Sequence, residues 1–140
     1  MSFMESNKLT YILVVEDDAD DSFLLTRQLA RGHLEDCVTV IPNGQDALDF
    51  LLQTNPPPMA VFLDLRLPGL SGIGLLERIR QEPHLQTLPV IVMSGSSRQT
   101  DVDRCRELGV SHFLSKPVDL TTFIRIVSHL STPFPLPSGT

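Results

Sequence analysis

The sequence predicts a single α/β domain organised around a doubly wound parallel sheet of five strands. Short apolar, β-branched runs alternate with helical patterns along the chain, as expected when parallel strands are joined by crossover helices. Three of those runs are apolar throughout, as strands covered on both faces must be. A chain of 140 residues suits one domain with a substantial core, and no internal repeat divides it.

Five runs supply the strands. Tyr11-Ile12-Leu13-Val14-Val15, Ala60-Val61-Phe62-Leu63 and Val90-Ile91-Val92-Met93 are the continuous apolar ones, and they belong in the centre. Cys37-Val38-Thr39-Val40-Ile41 alternates less cleanly and His112-Phe113-Leu114 is short, so these two suit the edges. The first helix, roughly residues 20–31, has Ser22, Leu25 and Leu29 on one face. The second carries Ala47, Leu48, Leu51 and Leu52 as an apolar stripe and is ended by Pro56-Pro57-Pro58. Leu75, Leu76 and Ile79 mark the third, which stops at Pro83. Val102, Cys105 and Leu108 mark the fourth, closed by Gly109 as a C-cap. Leu120, Phe123, Ile124, Val127 and Leu130 give the fifth its amphipathic pattern, with Asp119 as N-cap. Residues 1–9 are expected to be extended or disordered, 10–131 to form the domain, and 132–140 to be an extended, Pro-rich tail.

Composition narrows the function classes. A formal charge of -6 argues against electrostatic capture of nucleic acid, which needs clustered Lys and Arg. No run approaches the ~20 apolar residues of a membrane span, and the polar start lacks the apolar stretch of a secretory signal. Cys37 and Cys105 show no metal-ligand spacing and read as reduced thiols that pack as small hydrophobes. His33, His84, His112 and His129 show no ligand spacing either. A soluble, acidic, cytoplasmic domain is the expectation.

In an open parallel sheet, ligands bind at the carboxyl ends of the strands, near the switch in strand order. Glu16, Asp17 and Asp18 follow the first run, Asp64 the third, Ser94 the fourth, and Lys116 with Pro117 the fifth. Carboxylates, a hydroxyl and an ammonium therefore converge on one crevice. Clustered carboxylates repel, and burial penalises their charge, unless a cation neutralises them. A hard divalent cation such as Mg2+ does so while leaving positions for water and substrate phosphate. Asp64 is then suited to attack phosphorus and form an acyl phosphate. Mg2+, Lys116, Ser94 and backbone amides would share the charge on the phosphoryl oxygens.

These motifs, in this order and each at a strand end, resemble the receiver domains of response regulators over residues 11–130. The matching pieces are Ile12-Leu13-Val14-Val15-Glu16-Asp17, the segment from Asp64 through Pro68-Gly69 to Gly72, Val92-Met93-Ser94-Gly95, and Phe113-Leu114-Ser115-Lys116-Pro117. The resemblance implies a flavodoxin-like (βα)5 receiver fold. It implies Asp64 as phosphoacceptor, Asp17 as a direct Mg2+ ligand with Glu16 beside it, and Asp64 and the backbone carbonyl of Arg66 as further ligands. Ser94 would hydrogen-bond the phosphoryl group, Lys116 would pair with it, Phe113 would be the aromatic switch, and Pro117 would follow a cis peptide bond. The implied function is Mg2+-dependent transfer from phosphohistidine in a two-component phosphorelay. Phosphorylation would then switch the face of the fourth helix, fifth strand and fifth helix. The implied partners are a sensor histidine kinase or a histidine phosphotransfer protein, and a downstream protein target. Direct DNA binding and membrane association are not implied. The chain would be a stoichiometric phosphoacceptor rather than a turnover enzyme, and a monomer or weak homodimer.

Several positions depart from the commonest pattern of that family. Glu16 stands for Asp in the acidic pair, and Ser94 for Thr. Asp18 offers a third acid, although alignment by the strand favours Glu16 and Asp17. The charged residues that some transcriptional regulators use to dimerise are not evident in Leu108-Gly109-Val110-Ser111-His112. Arg66 and Ser96 flank the site and are candidates for tuning the life of the phosphate. Taken singly, each residue has an ordinary role: Asp17 and Asp18 as helix caps, Asp64 and Ser94 in turns, Lys116 in solvent, Phe113 in the core. Joint occurrence at the strand ends outweighs those readings.

Three alternatives remain for comparison. A flavin-binding protein needs a hydroxyl- and glycine-rich loop after the first strand; Glu16-Asp17-Asp18-Ala19-Asp20-Asp21 would repel the cofactor phosphate. A phosphatase of the haloacid dehalogenase type carries a second acid two residues after its nucleophile, where this chain has Arg66. The third is a phosphorylation-independent, receiver-like docking module, which the intact set of acids, hydroxyl and lysine disfavours.

Overall fold

The computed structural model describes residues 12–21, 27, 38–95 and 98–129. Five strands form one parallel sheet: β1 (Ile12–Val15), β2 (Val38–Ile41), β3 (Ala60–Asp64), β4 (Val90–Ser94) and β5 (His112–Ser115). Their order is β2-β1-β3-β4-β5, so the two less regular runs lie at the edges. The described helices are α1 (Gly44–Gln53), α2 (Gly72–Gln81), α3 (Gln99–Glu107) and α4 (Leu120–Ser128). They correspond to the second through fifth helical segments of the sequence. The expected first helix, with Ser22, Leu25 and Leu29, lies largely outside the described residues. So do the N-terminal segment, the Pro-rich tail, Tyr11, Cys37, Ser96 and Leu130.

Why the strands are apolar at every position is plain from the two faces they bury. Leu13, Val15, Val61, Leu63, Val90 and Val92 pack into one core cluster with Leu48, Leu51, Leu75 and Ile79 from α1 and α2. Ile12, Val14, Ala60, Phe62, Ile91 and Met93 pack into a second with Phe123, Ile126 and Val127 of α4. The Phe62 and Phe123 rings stack at 4.4 Å between centroids. Helices thus cover both sides of the sheet, and the doubly wound expectation holds.

The helix stripes differ from expectation at two positions. Leu52 and Ile124 are 38% and 39% exposed. Successive helix residues are rotated by about 100°. The inward arcs of Ala47, Leu48 and Leu51, and of Phe123, Ile126 and Val127, are therefore too narrow to include either residue. Ile126, absent from the expected stripe, is buried in place of Ile124. β3 and β4 also run one residue further than the apolar runs, so Asp64 and Ser94 close their strands rather than follow them.

Local chemistry sets the helix ends. Asn43, Ser71 and Asp119 each accept a hydrogen bond from the amide three residues on, at 2.8, 3.0 and 2.7 Å. Gly109, at φ +72, takes the left-handed turn after α3. In the turns leading into β4 and β5, the Arg80 guanidinium donates to the carbonyls of Leu108 (2.7 Å), Leu88 (2.8 Å), Gln86 and Gly109 (both 3.2 Å) and Leu85 (3.4 Å). It ties α2 to the turn before β4 and to the end of α3.

Candidate functional site

The strand order reverses between β1 and β3, and the carboxyl ends of these strands carry the acids. Glu16 follows β1 and is 3% exposed; Asp64 ends β3 and is 4% exposed. Asp17 is exposed. One ligand oxygen from each of Glu16, Asp17 and Asp64 lies within 4.8 Å of the other two. That spacing suits a single hard cation with oxygen ligands, and so does the donor set, which is carboxylate only.

The neighbouring strands bring the remaining groups. The Lys116 amide, just past β5, donates to the Ser94 carbonyl at 2.9 Å, and the Lys116–Pro117 peptide bond is cis. From there the Lys116 ammonium reaches Asp64 Oδ2 at 2.7 Å, Glu16 Oε1 at 2.7 Å and Asp21 Oδ2 at 3.2 Å. The other Asp64 oxygen, Oδ1, accepts from the Arg66 amide at 2.9 Å, which folds the chain after β3 back toward the carboxylate. Ser94 is buried at the end of β4, the strand paired to β3 through Asp64 and Met93. Asp17, Asp18, Asp21, Asp64, Arg66 and Lys116 line a cleft of about 420 Å³. The structure therefore brings Glu16, Asp17, Asp64, Arg66 and Lys116 to one place, with Ser94 on the adjoining strand.

Phe113 lies elsewhere. It is half-buried on β5, packed against the first core cluster. With Val102, Arg106, Val110 and His112 it lines a separate groove of about 180 Å³ beside α3. Asp18, the ambiguous third acid, turns its carboxylate to helix capping: its Oδ1 accepts from the amides of Asp20 and Asp21 at 2.9 and 3.0 Å. Asp21 was not singled out in the sequence. Nothing in the pattern Asp20-Asp21 distinguishes it from a solvated acid, because its partner is 95 positions away.

One ammonium stands between two buried carboxylates, and the protonation states follow. Burial pushes the Glu16 carboxyl up from 4.5 to about 7; sharing with Asp64 adds to the rise, and Lys116 opposes it. Burial pulls the Lys116 ammonium down, but its bonds to Asp64 and Glu16 outweigh that and hold it above its ordinary value. Lys116 is therefore charged at neutral pH, and the Glu16 carboxyl takes a proton more readily than an ordinary carboxylate. Between about pH 4.5 and 7 the folded protein binds more protons than the unfolded chain, so its metal-free stability falls as pH rises. Asp119, held below its ordinary 3.8 by the Thr122 amide, acts only at lower pH. Thermal melts in EDTA across that window check this: wild type loses Tm toward neutral pH, and Glu16→Gln flattens the slope. An equal slope in both proteins contradicts it.

The sequence matches the family described as response regulator receiver domain over residues 12–128. It is 39% identical over 127 residues to an uncharacterized 14.6 kDa protein of Leptolyngbya boryana, covering 89% of this chain and 92% of that one. It is 32% identical over 133 residues to the response regulator Rcp1 of Synechocystis, covering 91% and 90%. Among solved structures, the Mn2+-bound form of Rcp1 aligns with TM-score 0.70 at 33% identity, covering 86% of this chain and 88% of that one. The phosphorylated cyanobacterial phytochrome response regulator RcpA aligns at 0.72 and 30%, with the same coverage. The receiver domain of the sensor histidine kinase PA1611 from Pseudomonas aeruginosa, with magnesium in its active-site cleft, aligns at 0.72 and 26%, covering 84% and 93%. No helix among the described residues is long and apolar enough to cross a membrane.

Proposed function

This chain belongs to the family of response regulator receiver domains, and we propose that in it Asp64 accepts a phosphoryl group from a phosphohistidine. The observation that carries this reading is the convergence of Glu16, Asp17 and Asp64 within 4.8 Å, with the Lys116 ammonium 2.7 Å from Asp64. An acceptor carboxylate, a cation-binding group of acids and a fixed positive charge are the parts that phosphoryl transfer needs.

An Asp64 oxygen attacks phosphorus. The new P–O bond forms as the P–N bond of the donor breaks, and the electron pair returns to the imidazole nitrogen. Lys116 exchanges its contact with Asp64 Oδ2 for a phosphoryl oxygen, and the Ser94 hydroxyl donates to another. The Arg66 amide, bonded to Asp64 Oδ1, holds the carboxylate while this happens. A Mg2+ ion on Glu16, Asp17, Asp64 and the Arg66 carbonyl would neutralise charge that otherwise repels the donor phosphate. No base is required, since Asp64 attacks as the carboxylate. The chain is then a stoichiometric acceptor whose product is a changed surface, not a released molecule.

That surface is the one formed by α3, β5 and α4. As Ser94 moves toward the phosphoryl group, Phe113 turns inward from its half-buried position and reshapes the groove beside Val102 and Arg106. The bias comes from a group of about −1.5 to −2 charges and its three acceptor oxygens. The proposed donor is a sensor histidine kinase of the phytochrome type or a histidine phosphotransfer protein, acting in the cytoplasm. The likeness to phytochrome response regulators supports the first. The readout is direct binding to a protein target.

Incubation with acetyl phosphate and Mg2+, followed by intact-mass measurement, tests the reading. One phosphoryl adduct is expected, and EDTA abolishes it. Absence of an adduct with acetyl phosphate and with a phosphorylated histidine donor would transfer the chain to the docking-module reading.

A further inference from the structure

We propose that Asp21 is a positioning residue for Lys116, holding the ammonium at the mouth of the cleft when a divalent cation takes Glu16 and Asp64. The inference rests on the cation-dependent reading above and goes beyond it. An ammonium has three N–H donors, and here three carboxylates take them: Glu16 and Asp64 at 2.7 Å and Asp21 at 3.2 Å. Two of these belong to the group of acids that share a candidate cation site, and Asp21 does not. A cation entering that group competes with the ammonium for the same oxygens. Electroneutrality drives the exchange, but the displaced lysine must stay near enough to meet a phosphoryl oxygen. Among the described residues, Asp21 is the one that offers it a carboxylate outside the contested set.

The backbone fixes Asp21 for this task. Its amide and that of Asp20 donate to Asp18 Oδ1, and the Asp18 amide donates to Glu16 Oε2 at 3.1 Å. The third carboxylate is thereby laced to the same strand end as the first. Its side chain is 44% exposed, so water screens its pull on Lys116. The hold is strong enough to bias where the ammonium rests and weak enough to release it to a phosphoryl group.

Mg2+ binding to the full chain, measured by titration calorimetry without any phosphodonor, tests this through a double-mutant cycle. Asp21→Asn is expected to weaken Mg2+ binding about fivefold, the scale of one exposed ion pair. Lys116→Met removes the competitor and tightens binding. On that background Asp21→Asn changes the affinity less than about twofold, because there is no ammonium left to hold. Asp21→Glu, which keeps the charge, restores most of the wild-type affinity. Equal losses on both backgrounds would reduce Asp21 to a remote charge and overturn the inference, as would an unchanged affinity in Asp21→Asn. Wild type that fails to take up Mg2+ overturns the cation reading and this inference with it. Wild type that binds while Asp21→Asn binds equally well overturns the inference alone. Circular dichroism verifies that each variant is folded, and Lys116→Gln serves in place of the methionine variant if that one is not.

Discussion

Asp64→Asn is expected to abolish the phosphoryl adduct while leaving the domain folded. The amide keeps the shape of the carboxylate but has no anionic oxygen to attack phosphorus, so the loss is complete rather than graded. It also disturbs the site in a way that can be followed separately. Asp64 now accepts from the Arg66 amide through Oδ1 and from Lys116 through Oδ2. An asparagine has one acceptor oxygen and one amino group, so one of these donors must face another donor. If the oxygen stays with the Arg66 amide, Lys116 shifts onto Glu16 and Asp21. Glu16 then shares its partner only with the exposed Asp21 and loses a repelling neighbour, and its carboxyl falls back toward the ordinary range, since sharing with Asp64 is among the causes of its rise. Removing one of two buried carboxylates offsets the lost ion pair, so Tm is expected to change by no more than about 4 °C. Intact mass after acetyl phosphate treatment reads the first effect, and a thermal melt the second. An adduct on Asp64→Asn equal to that on wild type would mean that another residue accepts the phosphate.

How much of this was legible beforehand differs by kind of residue. Strand identity and edge placement were readable, because the apolar runs report directly on whether one or two faces are buried. β2 and β5 show it, with intermediate or exposed residues where β1, β3 and β4 are buried throughout. The convergence of Glu16, Asp17, Asp64 and Lys116 was readable for a topological reason: parallel strands all point their carboxyl ends to one edge. Contacts made by long polar side chains were not readable. Arg80 was not singled out in the sequence, yet it serves five backbone carbonyls on two other segments. Asp21 was one acid in a run of acids. Leu52 and Ile124 were misplaced because neighbours in a helical stripe differ by about 100°, which sequence spacing alone resolves poorly at a stripe's margin.

Gly72→Ala is expected to cost about 3 kcal/mol of stability and about 10 °C in Tm, and to slow phosphorylation as well. A Cβ at this position would stand 2.5 Å from the Asp64 carbonyl oxygen and 2.5 Å from Leu65 Cα. Both are backbone atoms at the end of β3, so no side chain can swing aside to make room. They are also held from the other direction, since the Leu65 amide donates to the Met93 carbonyl at 3.3 Å and Leu65 accepts from the Gly72 amide at 3.1 Å. Either α2 backs away from the sheet, loosening Leu75, Leu76 and Ile79 in the core, or the strand end moves and carries Asp64 with it. The gain in helix propensity, at most about 1 kcal/mol, does not offset that. Gly74→Ala is the control. Its Cβ would meet Leu70 Cδ1 at 2.9 Å, the Ser71 cap oxygen at 3.3 Å and Leu70 Cγ at 3.8 Å; the Leu70 side chain can rotate aside, and the cap oxygen need give by only a few tenths of an ångström. It should hold Tm within about 3 °C of wild type and keep the rate of adduct formation. If Gly72→Ala melts with Gly74→Ala, close backbone packing of α2 on β3 is not what sets the position of Asp64. If it alone loses both stability and phosphorylation, the acceptor is held by the core as much as by its ion pairs, and the site is an extension of the sheet that presents it.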